Sequence, residues 1–474
     1  MSRTTTKDNV DARSIAYASW LSRSYLPRTL LEGTRGMREA GETLLYKNEF
    51  ESEKSFENRL KRSTLLNAFR KTGSFLAGQV FQADLIFSDD VPELYTDFCK
   101  KVDVKGNSVN VFAKRVFFNG LMKGVAHILI DSPNVGDENT LTIEEEQRRG
   151  IRPYFREIDP EAVIAVLVDE NGFLFQVRIL ETKDKLVGAY GSEQVDQIRV
   201  YNQDGSWELH TKVDGEYALE SAGVLSIRKI PIVTFIPGEE TTIMTADTPL
   251  LDLAYLNLHH WDSSSDQTNI LHVGRVPILF GKHVDLSKMP VGVAAMVSSE
   301  EDAADLKYVE IQGAAIAAGA KDLKEREAQM ALYGLQQLVP RSGNMTATEK
   351  AITSGESNSS LGTWATEFED FMQAAFEIVG EFTNTPFPED SVSVNKEYNI
   401  GVANTEELTA ILKANEQGVL SAQGAFTEFR RRGVFDEHLS WDDMEAEIED
   451  GRRNDTNFAT LAGAAFGAAE TEER

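Results

Sequence analysis

Pro249 to Asp266 reads PLLDLAYLNLHHWDSSSD, and the contrast between its halves decides the fold. Leu250, Leu251, Leu253, Leu256 and Leu258 make the first half apolar. Asp262-Ser263-Ser264-Ser265-Asp266, continued by Gln267-Thr268-Asn269, makes the second half almost wholly polar. We read Leu250 to Leu271 as one long helix that leaves an apolar environment partway along its length.

Downstream, Val276 to Phe280 and Leu306 to Ile311 read as a small β element interrupted by Gly/Ala/Ser-rich loops. Gly313 to Gly319 (GAAIAAG) reads as a small-residue hinge, and Ala320 to Leu338 as a second helix with a charged start. Arg341 to Ser360 is polar and reads as a loop without order of its own. Leu361, Trp364, Phe368, Phe371, Ala375, Ile378 and Phe382 then alternate spacings of three and four, the stripe of a core-packing helix. Ser391 to Val394 is strand-like, and shorter helices are expected over Thr405 to Arg432. The Ala-, Gly- and Glu-rich tail Asn454 to Arg474 reads as loosely ordered.

Upstream, Asp11 to Gly78 carries near-helical apolar spacing (Phe56, Leu60, Leu65, Phe69, Leu76) broken at Gly33, Gly36 and Gly41, which predicts several helices. Asn107 to Lys123 predicts another helix and Val125 to Ile130 a short buried strand. Pro133 to Gly150 reads as a polar loop. The period then changes to that of strands. Ala162 to Val168 and Phe173 to Leu180 flank Asp169-Glu170-Asn171-Gly172, a hairpin signal because Asn-Gly tolerates positive φ. Ile198 to Tyr201, Trp207 to Lys212, Tyr217 to Leu219 and Ile230 to Ile236 continue a mostly antiparallel unit over 155–240.

The chain of 474 residues has 48 Lys/Arg against 76 Asp/Glu, a net charge of −28. That excludes a protein whose main task is gripping nucleic acid, since such affinity comes from cations neutralising phosphates. Residues 1–71 run against the trend, with 14 basic and 9 acidic residues, a net of +5; Asp436 to Asp450 holds eight acids and no Lys or Arg. The +5 segment is expected to meet an acidic neighbour, so that removing residues 1–50 weakens assembly. One cysteine, Cys99, excludes a disulfide framework and multi-cysteine zinc sites. Neither a signal-peptide core nor a run near the ~20 apolar residues of a membrane span is present. A soluble cytosolic chain is the expectation.

Catalytic chemistry finds no positive support. His259, His260 and Asp262, with His272 and His283 nearby, invite a metal site, yet adjacent helical residues point about 100° apart and position 263 is Ser. One imidazole is expected in the helix interface and the other in solvent. Ser263 to Ser265 lack the flanking glycines of a nucleophile elbow, and Gly319-Ala320 breaks any phosphate-loop pattern. We expect no enzyme, no cofactor and no metal.

The order of elements resembles the portal protein of tailed bacteriophages, in a subfamily long catalogued without an assigned function. The resemblance is strongest over Pro249 to Asp266, Leu271-His272 and Pro277-Ile278-Leu279. Tyr25-Leu26-Pro27-Arg28, Arg152-Pro153-Tyr154-Phe155, Ile230-Pro231 and Glu327 to Leu332 support it. It implies an α+β, mostly helical portal fold with wing, stem, clip and small crown, assembled as a ring. Residues 1–245 would be wing, 246–273 the first stem helix, 274–315 the clip and 316–338 the second stem helix. Residues 339–360 would be the channel (tunnel) loop, 361–435 further wing helices and 436–474 an acidic crown or tail.

The same resemblance implies a dodecameric homo-oligomer at one capsid vertex, serving as conduit for genome packaging and ejection. Its partners would be the major capsid protein, the terminase large subunit, head-tail adaptor proteins and double-stranded DNA passing without sequence readout, with no membrane. The virion would be its location, after assembly in the host cytoplasm. Lys321, Lys324, Arg326, Arg341, Asn344 and Lys350 would face the DNA channel, although salt bridging of the helix cations with Asp322, Glu325 and Glu327 is an equal reading. Asp262, Asp266, Asn269, His272, Arg275 and Lys282 would mark the stem and clip. Residues 343–357, taken as the channel loop, are expected to be removable without loss of stability. Other readings are a different virion connector or scaffold protein, or a metal-dependent hydrolase using the histidines.

Overall fold

In the computed structural model the described residues are 9–132, 152–274, 278–282, 303–309, 313–335, 347–396, 411–415, 417–431, 440–442 and 444–445. The chain is α+β and divides into two compact units, 1–396 and 397–474.

The first unit opens with five helices: α1 (Ile15–Arg23), α2 (Tyr25–Leu31), α3 (Gly33–Ala40), α4 (Glu53–Arg62) and α5 (Ala68–Val80). Side-chain caps start three of them. Ser14 Oγ accepts from Tyr17 N, Ser52 Oγ from Ser55 N and Asn67 Oδ1 from Arg70 N, each satisfying a donor that the first turn would otherwise strand. A short strand β1 (Ile86–Phe87), α6 (Glu93–Lys100) and α7 (Val109–Lys123) follow.

Two antiparallel sheets come next. Strand β2 (Ala126–Asp131) lies between β3 (Tyr154–Ile158) and β9 (Ile232–Phe235). Strands β4 (Val163–Val168), β5 (Leu174–Val187), β6 (Gly191–Asn202), β7 (Ser206–Val213) and β8 (Glu216–Val224) form a five-stranded meander. Strands β5 and β6 extend well past the apolar run that predicts them, as an arm of alternating polar residues. The β4–β5 turn forms over Asp169 to Gly172 as expected, but the positive φ expected of Asn-Gly falls on the glycine alone. Asp169 N donates to Phe173 O, Asp169 Oδ1 accepts from the amides of Asn171 and Phe173, and only Gly172 takes a positive φ, 89°.

A small ribbon, β10 (Glu240–Thr242) with β11 (Thr245–Ala246), leads into α8 (Leu251–Gly274). The hairpin β12 (Ile278–Lys282) with β13 (Asp305–Val309) follows, then α9 (Gly313–Met330) and a π turn, Ala331–Leu335. The unit ends with α10 (Ala347–Thr383) and β14 (Val392–Ser393), which pairs with β1.

Two expectations are corrected here. Gly313 to Gly319 is the first two turns of α9 and no hinge. Helix α10 starts at Ala347, so residues 347–357, read as an unordered loop, are helical; 336–346 lie outside the described residues, as does the expected loop 133–150.

Among the described residues, three groups of side chains supply much of the core. Leu26, Leu30, Met37, Phe56 and Phe69 pack on Leu253, Ala254 and Trp261 of α8 and Met330 of α9. Tyr17 and Trp20 of α1 sit against both sheets, with Leu129, Val163, Val177 and Ile179. The α10 stripe enters a phenylalanine cluster, where Phe368 lies 5.0–5.7 Å from the rings of Phe81, Phe117, Phe235 and Phe371. Phe368 and Phe371 are buried as the spacing predicts, whereas Trp364 is only half-buried. Because α1 to α3 supply Tyr17, Trp20, Leu26, Leu30 and Met37 of this core, removing 1–50 would cut into it and could not serve as a clean test of assembly.

Of the second unit, α11 (Ala422–Arg431) is described, with Phe426 edge-on to Trp441 at 5.6 Å.

Candidate functional site

The site is an arm made of α8, the β12–β13 hairpin and α9. With 24 residues at 1.5 Å rise, α8 runs about 36 Å. Its first half is rooted in the core. Asn257, fully buried, accepts from Phe69 N at 3.0 Å and donates to Leu66 O at 2.9 Å, fixing both the depth and the rotation of the helix. An amide buried without these two partners would be costly, so this pairing specifies one register.

The polar half does not stand free as its sequence suggests. Arg59 of α4 is 1% exposed and reaches it from the side. Its Nη1 donates to Ser265 Oγ and to Asp266 Oδ1, both at 3.2 Å. Its Nε and Nη2 grip the Glu51 carboxylate at 3.0 and 2.8 Å, and Nη2 also reaches Tyr46 O at 2.5 Å. Ser63 Oγ lies 2.7 Å from Ser265 Oγ, Tyr46 N donates to Asp262 Oδ1 at 3.1 Å, and Arg62 Nη2 donates to Asn269 Oδ1 at 2.9 Å. Hydrogen bonds from Arg59 hold the Glu51 carboxyl below the usual carboxylate range. A buried guanidinium needs such bidentate pairing to be tolerated at all.

Asp262, Asp266 and Asn269 are therefore braced against the N-terminal helices and are not a free polar stripe. Part of the basic excess of residues 1–71 is used within the chain as well: Arg23 meets Asp247 at 3.0 Å and Arg28 meets Glu161, both acids outside that segment. The expected acidic neighbour is, for these side chains, the same molecule.

Helix α9 packs along α8 through small residues. A Cβ on Gly319 would lie 2.1 Å from Gln267 Oε1, and Gln267 Nε2 donates to Ile316 O at 2.9 Å. The glycine permits this close approach. Beyond that seam the helix is open: among its residues only Met330 is buried.

The predicted channel cations divide. Lys321 is exposed and lies 3.6 Å from Glu325; Arg326 Nε donates to Asp322 at 2.9 Å, holding that carboxyl low, and its Nη1 is 3.4 Å from His259 Nδ1. Lys324 is exposed. Lys350 falls on the first turn of α10, while Arg341, Asn344 and Arg275 lie outside the described residues. His272 and Lys282 are exposed, and Lys282 pairs in register with Asp305 on the hairpin.

The two histidines separate as expected. His260 is buried with Nε2 at 3.4 Å from Glu327 Oε1, and His259 is exposed. Among the described residues no group of three His, Cys, Asp or Glu is placed to hold a metal, and no helix is long and apolar enough to cross a membrane. The residues missed in the sequence are Glu51, Arg59 and Ser63. Their signal was the cation excess of 1–71 and the polar half-helix, 200 positions apart.

Residues 249–383, which span the arm and most of α10, match a family described as a domain of unknown function, DUF4055. No curated protein matches the chain. Among solved structures it is similar to a chain of the virion of a native gene transfer agent particle, at 11% identity and TM-score 0.39, covering 74% of this chain and 86% of that one. It is similar too to chains of the neck of the empty particle computed with C6 symmetry (10%, 0.38, covering 74% and 87%) and of the native particle computed with C12 symmetry (10%, 0.37, covering 75% and 87%).

Proposed function

We propose that this chain is the subunit of a portal ring, a closed homo-oligomer, twelve copies in the family it resembles, that conducts double-stranded DNA through a capsid vertex and has no catalytic role of its own. The observation that carries the reading is the arm: a braced helix, a hairpin at its far end, and a returning helix that buries one residue in its own chain. An 18-residue helix draws most of its stability from packing. One left this open fits a place where neighbouring copies complete it, in the manner of a stem.

The charge fits a conduit. A chain of −28 repels the DNA phosphates overall, so DNA can slide past the few exposed cations, Lys321 and Lys324 among them, without contacts that must break at each step. In this reading the β12–β13 hairpin meets the terminase and later the adaptor proteins, and the major capsid protein surrounds the wing.

Negative-stain imaging of the purified full chain, with native mass spectrometry, tests this. Closed rings with a central hole, of a mass near twelve subunits, are expected. A monomer or dimer at every concentration and salt would overturn it.

A further inference from the structure

Strand β5 is covered by its own chain only in the middle, where Val177 and Ile179 are fully buried. Side chains alternate along a strand, but the register with β4 slips by one residue at Phe175, so Leu174 packs on the same core while Phe173 and Phe175 point to the other side. Phe173, just before the strand, and Phe175 are 65% and 47% exposed, and Lys183, Lys185 and Val187 at the other end are exposed too. Both ends overhang the core.

The ends differ in a way that matches. At the first, Leu167 of β4, opposite Gln176, joins Phe173 and Phe175 as an exposed apolar side chain, with Asp169 and Glu170 of the turn at their rim. At the second, β5 and β6 continue as a two-stranded arm whose tip presents Leu186, Val187 and a fully exposed Tyr190. On the odd face of that arm stand Lys183 and Lys185, with Glu193, opposite Lys185, as its one acid. One end is a receiving apolar patch with an acidic rim, and the other is a projecting apolar knob with cations behind it. A strand of 14 residues spans about 45 Å, so the two ends cannot meet within one chain.

We propose that the tip of the β5–β6 arm of one copy seats on the Leu167, Phe173 and Phe175 patch of the next copy, with Lys183 and Lys185 facing Asp169 and Glu170. The inference rests on the ring reading above and adds a second, wing-level contact to it. A knob and a patch at opposite ends of one element form a head-to-tail pair, the kind that closes rings when the rotation fits. On a chain of −28 the copies repel one another; an apolar contact whose charges are locally opposite is the form that attraction can take. An exposed tyrosine with apolar neighbours is also the residue type that anchors interfaces.

The test uses the full chain with Cys99→Ser. One preparation carries Ala189→Cys at the arm tip and another carries Asn171→Cys at the patch turn. They are co-assembled and treated with a short bis-maleimide. Cross-linked dimers are expected from the mixture and not from either preparation alone. Lys185→Glu should raise the concentration at which rings fall apart, and adding Glu170→Lys should restore it. Cysteine-free rings that assemble normally, while the mixture gives no cross-link and Lys185→Glu changes nothing, would overturn this contact and leave the ring reading intact. A parent chain that forms no rings would overturn both.

Discussion

Arg59 Nη1 and Asp266 Oδ1 lie 3.2 Å apart although 207 positions separate them, tying α4 to the polar half of α8. The same guanidinium is gripped by Glu51, so one buried cation serves two acids, one of them nearly buried and one at the surface. The arm thus leaves the core with a rigid lower half, set by ion pairing where its apolar residues run out.

Removing the cation strands Glu51, whose side chain is 7% exposed. Breaking one partner of a buried pair costs about 3–5 kcal/mol, whereas replacing both by apolar groups costs far less. Arg59→Met should therefore melt well below the parent, and Arg59→Met with Glu51→Met should recover much of the loss. Equal melting of the single and double variants would show that the pair is not what braces the helix.

His127 sits at the centre of the three-stranded sheet, fully buried between Tyr17 Oη at 3.0 Å and Thr234 Oγ1 at 2.9 Å. Burial lowers its pKa to about 3. The unfolded chain binds this proton near pH 6.5 and the folded one does not, so stability falls as the pH drops from about 6.5 toward 3, at up to about 1.4 kcal/mol per unit. Denaturant titrations at pH 7 and pH 5 should show the loss. His127→Gln should flatten that slope, and an unchanged slope would assign the acid sensitivity to other groups.

Gly124 ends α7 at φ 82°, where an added Cβ would lie 2.4 Å from Ala246 O and 2.6 Å from the Asp247 carbonyl carbon. Both the left-handed backbone and the unyielding neighbours oppose a side chain. Gly124→Ala should cost more than about 1 kcal/mol, the usual left-handed penalty alone. Gly172→Ala, left-handed but with open space around it, should cost about that penalty only. Melting temperatures of the two variants decide the point.

Phe368 touches four rings and is fully buried, while Trp364, one turn earlier, is half-buried. Phe368→Ala should cost about 3–5 kcal/mol by leaving a cavity, and Trp364→Ala clearly less. If the tryptophan variant proved the more damaging for ring assembly but not for subunit melting, that side chain would face a neighbouring copy.

Sequence alone determined the element types. The split of PLLDLAYLNLHHWDSSSD placed α8, the three-four spacing placed the α10 stripe, and the apolar β-branched runs placed β4 and β5, because period and hydropathy act locally. It also separated the two histidines by the angle between adjacent helical residues.

Only the tertiary structure decided who partners the polar residues. GAAIAAG reads as a hinge since its glycines weaken a helix in isolation; contact of its Ile316 and Gly319 with Gln267 of α8 makes the same small residues a packing seam. The serines and aspartates of α8 read as solvent-facing until Arg59 arrives from 200 residues away, and the basic excess of the N-terminus reads as an intermolecular surface until its arginines are found on acids of their own chain. Hydrogen bonds and ion pairs depend on distance in space, which a one-dimensional pattern of polarity does not encode.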